Sequence, residues 1–361
     1  MNKKYTIAFD ASMITDKNAG IGYYARELLY NLSTKADIYA FTNNDLLIQN
    51  ENIKVFKIEG KVNLLWHLKV FFYIKKLKVD AIVSPSNFIY AILSNKTIQI
   101  VHDLAPIRYP SHYGYISSFK FRIYLKLATY RALALATVSQ TTSKDLERFA
   151  KRVKNKIFTI GIGLNSHFLP KDYIATDILS RLNLSPKKYI LSVGTLQPRK
   201  NYEKSILAFE KFKKDYPDYK FVIVGQKGWK YDRIFELISN RKLGESVIIT
   251  GFVSENDLKT LYKNASVYLS TSLWEGFGLP LIEAYYFDLP LVVSDIEIFH
   301  EVVENNALFV DPNSENEIKA ALIKVISGKQ KTNDKSFLSK YSWEKVSEKI
   351  LKVLDKNKDK E

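Results

Sequence analysis

The sequence predicts an α/β protein with two doubly wound domains, each a parallel sheet that helices cover on both faces. Short apolar runs typical of buried strands alternate with helical patterns along nearly all of the 361 residues. The alternation lapses once, from Leu164 to Lys188, where Pro170 and Pro186 break the periodicity. A chain of this length with 46% hydrophobic residues can bury two cores. We therefore place one domain at 1–165 and a second at 166–341, followed by a final helix at 342–356.

The first domain opens directly on a strand pattern, and further strands follow between helical stretches. The predicted strands are Tyr5 to Ala11, Ile38 to Phe41, Val55 to Ile58, Ala81 to Ser84, Thr97 to Val101, Thr137 to Val138 and Ile157 to Ile160. Helices are predicted at Tyr23 to Leu32, Leu64 to Lys78 and Tyr115 to Ala134. This order of elements is typical of a parallel sheet.

The second domain repeats the same alternation. Its predicted strands are Tyr189 to Val193, Phe221 to Val224, Val247 to Ile249, Val267 to Thr271, Leu291 to Ser294 and Leu308 to Val310. A last helical pattern covers Trp343 to Leu354. Ligands of such sheets bind beyond the carboxyl ends of the strands, so the polar residues that follow these strands are the candidates for a site.

The main chemical motif follows the fourth strand of the second domain. Gly276 and Gly278 make a glycine loop, and Pro280 suits the first turn of the next helix, where its missing N–H costs nothing. Glu275 then lies just before this helix and Glu283 within its first turn, so both carboxylates face one small volume. Glycines let a ligand approach the backbone, free N–H groups at a helix start attract phosphate, and carboxylates accept hydrogen bonds from sugar hydroxyls. The pair therefore predicts a sugar diphosphate site, whereas either carboxylate alone is explained by the helix dipole.

A basic pair, Arg199 and Lys200, follows Gly194 at the carboxyl end of the second domain's first strand. Arginine binds a diphosphate through its planar fork, and lysine binds it as a point charge. In a chain so rich in lysine a solvated pair is the alternative, but the position after a buried strand favours diphosphate binding.

In the first domain, His102 and Asp103 directly follow the buried strand at Thr97 to Val101. A lone histidine is more often structural, but one beside a carboxylate at a strand end is a candidate for binding or proton transfer. Gly20 and Gly22 lie in the loop between the first strand and the first helix. They predict either close approach of a ligand or a tight turn that needs positive φ.

The composition excludes several classes of protein. No cysteine is present, which excludes disulfides and thiolate metal sites and fits a reducing compartment. The start lacks the apolar core of a signal peptide, and no apolar run is long enough to span a bilayer. No Asp-x-Asp occurs, so we expect no metal ion, and we expect no other cofactor. The expected location is the cytoplasm.

The net charge of +16 is concentrated in the first half. Residues 1–170 hold 24 Lys and Arg against 11 Asp and Glu, a net of +13, whereas the remainder holds 30 against 27. This asymmetry predicts a polyanionic partner of the first domain. The helices at Leu64 to Lys78 and Tyr115 to Ala134 mix cations with aromatic residues, which fits either core packing or peripheral binding to the anionic inner face of the cell membrane. The residues expected to insert are Trp66, Phe71, Phe72, Phe119 and Phe121.

The word EGFGLPLIEA, Glu275 to Ala284, resembles the Glu-x7-Glu signature of retaining glycosyltransferases of the GT-B fold, family 4, also called group 1. GTLQPRKN, Gly194 to Asn201, resembles the phosphate-binding element of the same family, and the likeness covers nearly the whole chain. It implies two Rossmann-like domains that face a cleft, with the last helix packed back on the first domain.

The resemblance also implies roles for individual residues. Glu275 is implied to contact hydroxyls of the donor sugar, and Glu283 the ribose of the nucleotide. Arg199 and Lys200 are implied to stabilise the leaving diphosphate. His102 is implied to lie near the donor sugar, and Asp103 is a candidate to orient the acceptor hydroxyl. The remaining residues implied to line the donor site are Gly20, Gly22, Gly194, Gly225, Phe252, Val253, Gly276, Phe277, Gly278 and Leu279.

We therefore predict a metal-independent retaining glycosyltransferase that moves a sugar from a nucleotide diphosphate sugar to a hydroxyl of a glycan, in O-antigen or capsule biosynthesis. The loops VHDLAPIRYP and GTLQPRKN resemble those of mannosyltransferases, which suggests GDP-mannose as the donor. The acceptor is expected to be lipid-linked, and no nucleic-acid partner is expected. Two alternatives stay open. A GT-B sugar-nucleotide epimerase would need no acceptor, and a basic nucleic-acid-binding protein would leave the acidic pair unexplained.

Overall fold

The computed structural model describes residues 5–15, 20–46, 48, 50–164, 174–328 and 335–358. By the packing of its backbone the chain divides into two compact units, Met1–Gly163 with Lys340–Glu361, and Leu164–Ser339. The sequence placed the boundary two residues later, at 165. Part of the predicted linker, including Pro170, lies outside the described residues, as does part of the predicted glycine loop at residues 16–19.

The first unit is built on a parallel sheet with the strand order β3-β2-β1-β4-β5-β6-β7. The strands are β1 Tyr5–Asp10, β2 Ala36–Thr42, β3 Ile53–Lys57, β4 Ala81–Ser84, β5 Thr97–Val101, β6 Ala134–Thr137 and β7 Ile157–Thr159. The helices are α1 Ile21–Ser33, α2 Leu64–Lys75, α3 Ile89–Leu93, α4 Ala105–Arg108, α5 Pro110–Tyr113, α6 Tyr115–Arg131 and α7 Gln140–Phe149. The order reverses at β1 and β4, which are neighbours although four elements, α1, β2, β3 and α2, separate them along the chain.

The second unit is built on a parallel sheet with the order β10-β9-β8-β11-β12-β13. The strands are β8 Tyr189–Val193, β9 Lys220–Val224, β10 Val247–Gly251, β11 Val267–Ser270, β12 Leu291–Ser294 and β13 Leu308–Val310. The helices are α8 Ile178–Arg181, α9 Tyr202–Lys213, α10 Asp232–Asn240, α11 Glu255–Asn264, α12 Leu279–Tyr286, α13 Glu297–Val303 and α14 Glu315–Ile326. One apolar core joins this sheet to α9, α10 and α14.

The central strands are apolar without alternation because helices cover both faces of each sheet. Every residue of β4, β5, β6 and β12 is buried. Among the described residues, no helix has both the length and the apolarity that crossing a bilayer requires.

The predicted boundary between the third helix and the strand that follows it is wrong. The helix expected to run to Ala134 ends at Arg131, and the strand expected at Thr137 to Val138 is β6, which begins at Ala134. Alanine favours helices, but here Ala134 and Ala136 pair with Ile98 and Ile100 of β5 inside the sheet. Tertiary pairing therefore overrides the local propensity. The predicted helix from Leu64 also ends early, at Lys75 rather than Lys78.

The last helix, α15 Trp343–Lys358, packs against α1 of the first unit. Lys35 pairs with Glu344 and Glu348 of α15, at 3.3 and 2.7 Å. A Cβ on Gly163 would come within 2.4 Å of the Trp343 ring, so this close approach excludes any side chain there.

Candidate functional site

The second sheet changes direction between two neighbouring strands, β8 and β11. The chain leaves β8 towards β9 and leaves β11 towards β12, on the opposite side. Loops that diverge in this way leave a crevice beyond the strand ends, where ligands of doubly wound sheets bind. Arg199 and Lys200 follow β8, and Glu275 follows β11. The predicted residues therefore lie at this reversal point.

The loop after β8 is held in a defined shape. Residues Pro198–Lys200 form a single 3₁₀ turn, and Asn201 adopts a left-handed conformation with φ of 57° before α9 begins. The Asn201 side chain donates to the carbonyl of Pro312 at 2.7 Å. At the first residue of the loop, Tyr202 Oη donates to the Gly194 carbonyl at 2.8 Å. Asparagine tolerates the left-handed conformation better than most residues, which explains why Asn201 occupies the position before α9.

Hydrogen bonds join this loop to the one after β11. The backbone N–H of Leu273 donates to the Arg199 carbonyl at 2.8 Å, and Thr271 Oγ1 donates to the Asn201 carbonyl at 3.1 Å. The two loops thus form one framework, which fixes the positions of the charged side chains that they carry.

Glu275 is the centre of the charged cluster. Its carboxylate pairs with the Arg199 guanidinium through one oxygen and with Lys200 Nζ, at 2.6 Å, through the other. Ser272 Oγ donates to the second oxygen at 2.8 Å. The Glu275 side chain is 8% exposed, so this is a buried ion cluster with two cations and one anion.

The electrostatics of the cluster favour the ionised form of Glu275. Burial alone would raise the pKa of Glu275, but Arg199 and Lys200 outweigh it and lower that pKa to about 2. Burial lowers the pKa of Lys200, while Glu275 raises it in opposition. A cluster that carries one net positive charge away from water is suited to an anionic ligand.

The sequence did not indicate Gln197 as a site residue. With its amide oxygen turned to the guanidinium, Gln197 accepts from Arg199 Nε and Nη2, both at 3.0 Å. Arg199 Nη1 also donates to the Trp274 carbonyl at 3.0 Å. The guanidinium fork is thus oriented by protein groups, and Arg199 acts as a bridge between the two loops as well as a cation. A polar residue two positions before the predicted arginine was the only available signal.

Glu283, the second predicted carboxylate of this unit, forms a hydrogen bond with a tyrosine. It accepts from Tyr262 Oη at 3.0 Å and is buried. Its predicted place in the first helical turn is wrong, because α12 starts at Leu279 and Glu283 lies past that turn. Gly278 caps the helix in a left-handed conformation, which lets it begin before Pro280. Glu283 is therefore not a simple complement to the helix dipole.

Tyr268 is a buried tyrosine on which the charges of both carboxylates act. Its phenol is buried and donates to the Val193 carbonyl at 3.3 Å. Burial is the main cause that raises the pKa of Tyr268, and the neighbouring Tyr202, Glu283 and Glu275 raise it further. The charges of both carboxylates thus act on one buried side chain. Neither Tyr262 nor Tyr268 was predicted, since buried tyrosines in sequence look like ordinary core residues.

The predicted glycines of this unit have clear steric reasons. A Cβ on Gly194 would meet Lys200 Nζ at 3.0 Å, and a Cβ on Gly225 would lie 2.0 Å from the Gly194 carbonyl oxygen. Gly225 N–H donates to the carbonyl of Gly251 at 3.0 Å. The strand ends of β8, β9 and β10 are therefore packed backbone to backbone, which needs glycine.

The other predicted residues of this unit surround the same edge. Phe252, just after β10, is 52% exposed, and Val253 is half-buried. Gly276 and Phe277 are buried, and Leu279 is the first residue of α12. An exposed aromatic ring at a strand end can stack on a nucleotide base.

In the first unit, His102 lies at the carboxyl end of β5. Its Nε2 donates to the Pro85 carbonyl at 2.8 Å, and its ring contacts Tyr24 of α1 edge-on, with centroids 4.9 Å apart. Burial lowers the pKa of His102, against the opposing effects of Pro85 and Asp103. The imidazole is therefore neutral at pH 7 with its proton on Nε2. Asp103 accepts from the Ala105 N–H at 2.9 Å, so one oxygen serves the start of α4.

The N-terminal glycines lie at the start of α1. Gly20 caps the helix with φ of 51°, and Gly22 is buried within its first turn rather than in a loop. Positive φ at Gly20 favours the tight-turn explanation for that residue. Asp10, which was not predicted, is buried at the end of β1, where burial raises its pKa against the opposing charge of His67. Among the described residues no group of His, Asp and Glu is placed to hold a metal ion.

Solved structures of other proteins share this architecture. The chain superposes on Anabaena HepE, solved in complex with UDP-glucose, with a TM-score of 0.79, 18% identity, and coverage of 98% of this chain and 100% of HepE. WaaG, a glycosyltransferase involved in lipopolysaccharide biosynthesis, gives a TM-score of 0.72 at 14% identity, with 94% of each chain covered. At these identities the likeness concerns the fold, and it confirms the predicted GT-B class.

Sequence comparison identifies the family. Residues 176–336 match the family of glycosyl transferases group 1. O-antigen chain mannosyltransferase RfbU of Salmonella typhimurium is 32% identical over 243 residues, which cover 67% of this chain and 64% of RfbU. O-antigen chain mannosyltransferase B of Escherichia coli is 26% identical over 251 residues, 68% of this chain and 65% of that protein. The matches thus span slightly less than two thirds of these relatives. Residues 176–336 belong to the group 1 glycosyltransferases, as the sequence predicted.

Proposed function

We propose that this chain is a retaining glycosyltransferase that moves a sugar from a nucleotide diphosphate sugar to a hydroxyl of a glycan in O-antigen or capsule biosynthesis. The observation that carries the proposal is the buried cluster of Arg199, Lys200 and Glu275 at the reversal point of the second sheet. The names of the two relatives support mannose as the sugar, which makes GDP-mannose the first donor to test.

The diphosphate is the part of the donor that the cluster suits best. In the proposed reaction the bond between the anomeric carbon and the diphosphate oxygen breaks, and negative charge develops on that oxygen. Lys200 and Arg199 stabilise this charge, because fixed cations in a water-poor site act strongly on developing charge. The acceptor oxygen bonds to the same face of the anomeric carbon, and its proton passes to the departing phosphate oxygen.

Glu275 has two roles in this proposal. Without a donor it pairs with both cations and compensates one of their two positive charges. A donor diphosphate then competes for the cations, and the carboxylate becomes available to accept from the sugar hydroxyls. Glu283, already fixed by Tyr262, accepts from the ribose hydroxyls of the nucleotide. The exposed ring of Phe252 stacks on the base in this proposal.

A thermal-shift screen of nucleoside diphosphates and nucleotide sugars tests the donor. A ligand that binds only the folded chain adds about 2.7 kcal/mol of stability at 100 times its Kd. We expect GDP and GDP-mannose to raise the Tm, and the matching donor to release its nucleotide only when an acceptor glycan is added. NMR of the product should show the anomeric configuration of the donor.

Two results would count against the proposal. If no nucleotide sugar raises the Tm, the cluster does not bind a donor. If nucleotide is released or the sugar is isomerised without any acceptor, the chain acts as a sugar-nucleotide epimerase or hydrolase instead.

A further inference from the structure

Exposed apolar side chains are concentrated on two helices of the first unit. Of the sixteen large apolar residues exposed in the described part of the chain, eleven lie on α2 and α6. Both helices pack against α3. Leu64, at the start of α2, and Tyr124 of α6 line a common cavity of about 270 Å³. The exposed residues of the two helices therefore belong to one continuous surface.

The helix α6 has two opposite apolar faces. Its core face consists of Ser118, Leu125, Ala128 and Thr129, which are buried. On the opposite side lies a second stripe, spaced by three or four residues, whose members are between 40% and 75% exposed: Ile116, Phe119, Ile123, Leu127 and Tyr130. Covering a sheet needs only one apolar face. Covering the sheet therefore does not account for the second stripe.

Cations flank this stripe on both sides. At about 100° per residue, Lys120 and Arg131 fall on one side of it, and Arg122 and Lys126 fall on the other. All four side chains are exposed. No Asp or Glu occurs between Asp103 and Asp145. The surface is thus apolar along its middle and uniformly positive at its margins.

These charges decide what the stripe fits. A second copy of this chain, docked stripe to stripe, would bring the same cations together, and like charges across an interface disfavour pairing. An anionic lipid bilayer complements both parts, since apolar side chains enter the boundary below the head groups while cations contact the head groups themselves. We propose that the outer face of α6, with Leu65 and Phe72 of α2, docks the first unit on an anionic lipid bilayer.

The inserting residues differ from those that the sequence suggested. Trp66 and Phe71 are buried in the core formed by α2 and the sheet. Phe121 is half-buried and packs edge-on against Phe88, with ring centroids 5.4 Å apart. Phe72 and Phe119 are 60% and 64% exposed and stay in the set. The docking surface itself does not depend on the proposed reaction, but its use, to bring the chain to a lipid-linked acceptor, rests on the proposed function.

Vesicle sedimentation with the full chain tests the docking surface. Two vesicle types are compared, phosphatidylcholine alone and an equal mixture of phosphatidylcholine and phosphatidylglycerol. We expect binding to the anionic vesicles only, and we expect that binding to weaken as salt rises, because screening at physiological salt acts over about 8 Å.

Two double variants separate charge from insertion. Lys120→Gln with Lys126→Gln should weaken binding by about fivefold per cation, so by about 25-fold together. Ile116→Gln with Phe119→Gln should weaken it by about tenfold or more. Glutamine is a good helix former, and all four sites are exposed, so the fold should be retained, which circular dichroism checks.

The matched controls lie in the second unit. Lys214→Gln with Lys242→Gln makes the same change in net charge at exposed sites, and Phe235→Gln removes an exposed ring from α10. Both controls should bind vesicles within about twofold of the parent chain, since neither changes a residue of the proposed docking surface.

Several outcomes would overturn the proposal. They are equal binding to both vesicle types, binding to neither, or an equal loss in stripe variants and controls. A dimer in sedimentation velocity that Ile116→Gln with Phe119→Gln dissociates would assign the stripe to a second copy instead. Transfer to a soluble acceptor should be unchanged in the stripe variants. Loss of that transfer with normal vesicle binding would contradict the proposed function and leave the docking surface standing.

Discussion

Glu275→Gln is the most informative single change, because the structure gives its expected size in two independent ways. The substitution keeps the shape of the side chain and removes its charge. Arg199 and Lys200 then remain buried without their counter-ion. Breaking a buried ion pair by removing one partner costs about 3 to 5 kcal/mol. We therefore expect a loss of about that much from the free energy of unfolding at pH 7.

The pKa of Glu275 supplies the second value. Its ordinary pKa is 4.5, and the cluster lowers it to about 2 in the folded chain. A shift of this size corresponds to about 3 kcal/mol of stability for the ionised form. Because the folded pKa is depressed, this stability is present above pH 4.5 and is lost as the pH falls towards 2. The difference in the free energy of unfolding between wild type and Glu275→Gln should therefore become smaller by about 1 to 1.5 kcal/mol as the pH falls from 7 to about 3.5.

Urea denaturation of both proteins across this pH range measures the difference directly. Glu315→Gln is a matched control, because Glu315 also lies between two lysines, Lys204 at 3.0 Å and Lys211 at 2.8 Å, but nearer the surface. Exposed pairs contribute about 1 kcal/mol or less, so this variant should lose little stability.

A second assay separates binding from catalysis. In Glu275→Gln the two cations no longer share a protein carboxylate, so a nucleoside diphosphate should bind at least as tightly as it binds the wild type. Transfer of the sugar should nevertheless fall, because the acceptor of the sugar hydroxyls has lost its charge. A variant as stable as the wild type at pH 7, or a stability difference that does not change with pH, would refute this account of the cluster.

Three further predictions concern the same unit. Lys200→Ala should lower the rate of sugar transfer by about 100-fold or more and reduce the rise in Tm caused by nucleoside diphosphates, whereas EDTA should leave wild-type transfer unchanged. Activity that EDTA removes and Mg²⁺ restores would contradict a metal-free site. Gly225→Ala should lower the free energy of unfolding, measured by urea denaturation, by about 2 to 3 kcal/mol, because its Cβ would lie 2.0 Å from the Gly194 carbonyl oxygen. Gly244→Ala is the control, since a Cβ there meets open space, and equal stability of the two variants would contradict the steric argument. Glu283→Gln should raise the donor KM by about 10- to 100-fold, because the ribose hydroxyls lose a charged hydrogen-bond acceptor, and Tyr262→Phe should raise it less. An unchanged KM in both variants would mean that the ribose binds elsewhere.

Most strands and the charged site residues could be predicted from the sequence. Buried parallel strands appear as short apolar runs because both faces of each sheet are covered, and this signal is local. The strands Ala81–Ser84, Thr97–Val101, Tyr189–Val193, Leu291–Ser294 and Leu308–Val310 have the predicted bounds. Arg199, Lys200, Glu275 and Glu283 were proposed as site residues for a similar reason, since each lies in a short motif that follows one of the strand patterns.

The tertiary structure alone decided how these groups meet. Arg199 and Glu275 are 76 residues apart, and only the adjacency of β8 and β11 brings their side chains into one ion pair. Tyr262 was not predicted because its hydrogen bond to Glu283, 21 positions away, leaves no local pattern. Gln197 and Ser272 are only two and three positions from the charged residues they contact, but the folded loops alone show those contacts. The same limit applies to β6, where pairing with β5 outweighs the helical preference of alanine.

The surface of α6 shows this division most clearly. The sequence determined that the helix is rich in aromatic residues and cations and contains no acidic residue. It did not determine which side faces the sheet, because apolar residues occur on two opposite faces and the 3.6-residue period then has no single phase. Packing against α3 and the sheet selects Leu125 and Ala128 for the core. Ile116 and Phe119 are therefore exposed to solvent, since a helix buries only the face that its neighbours cover.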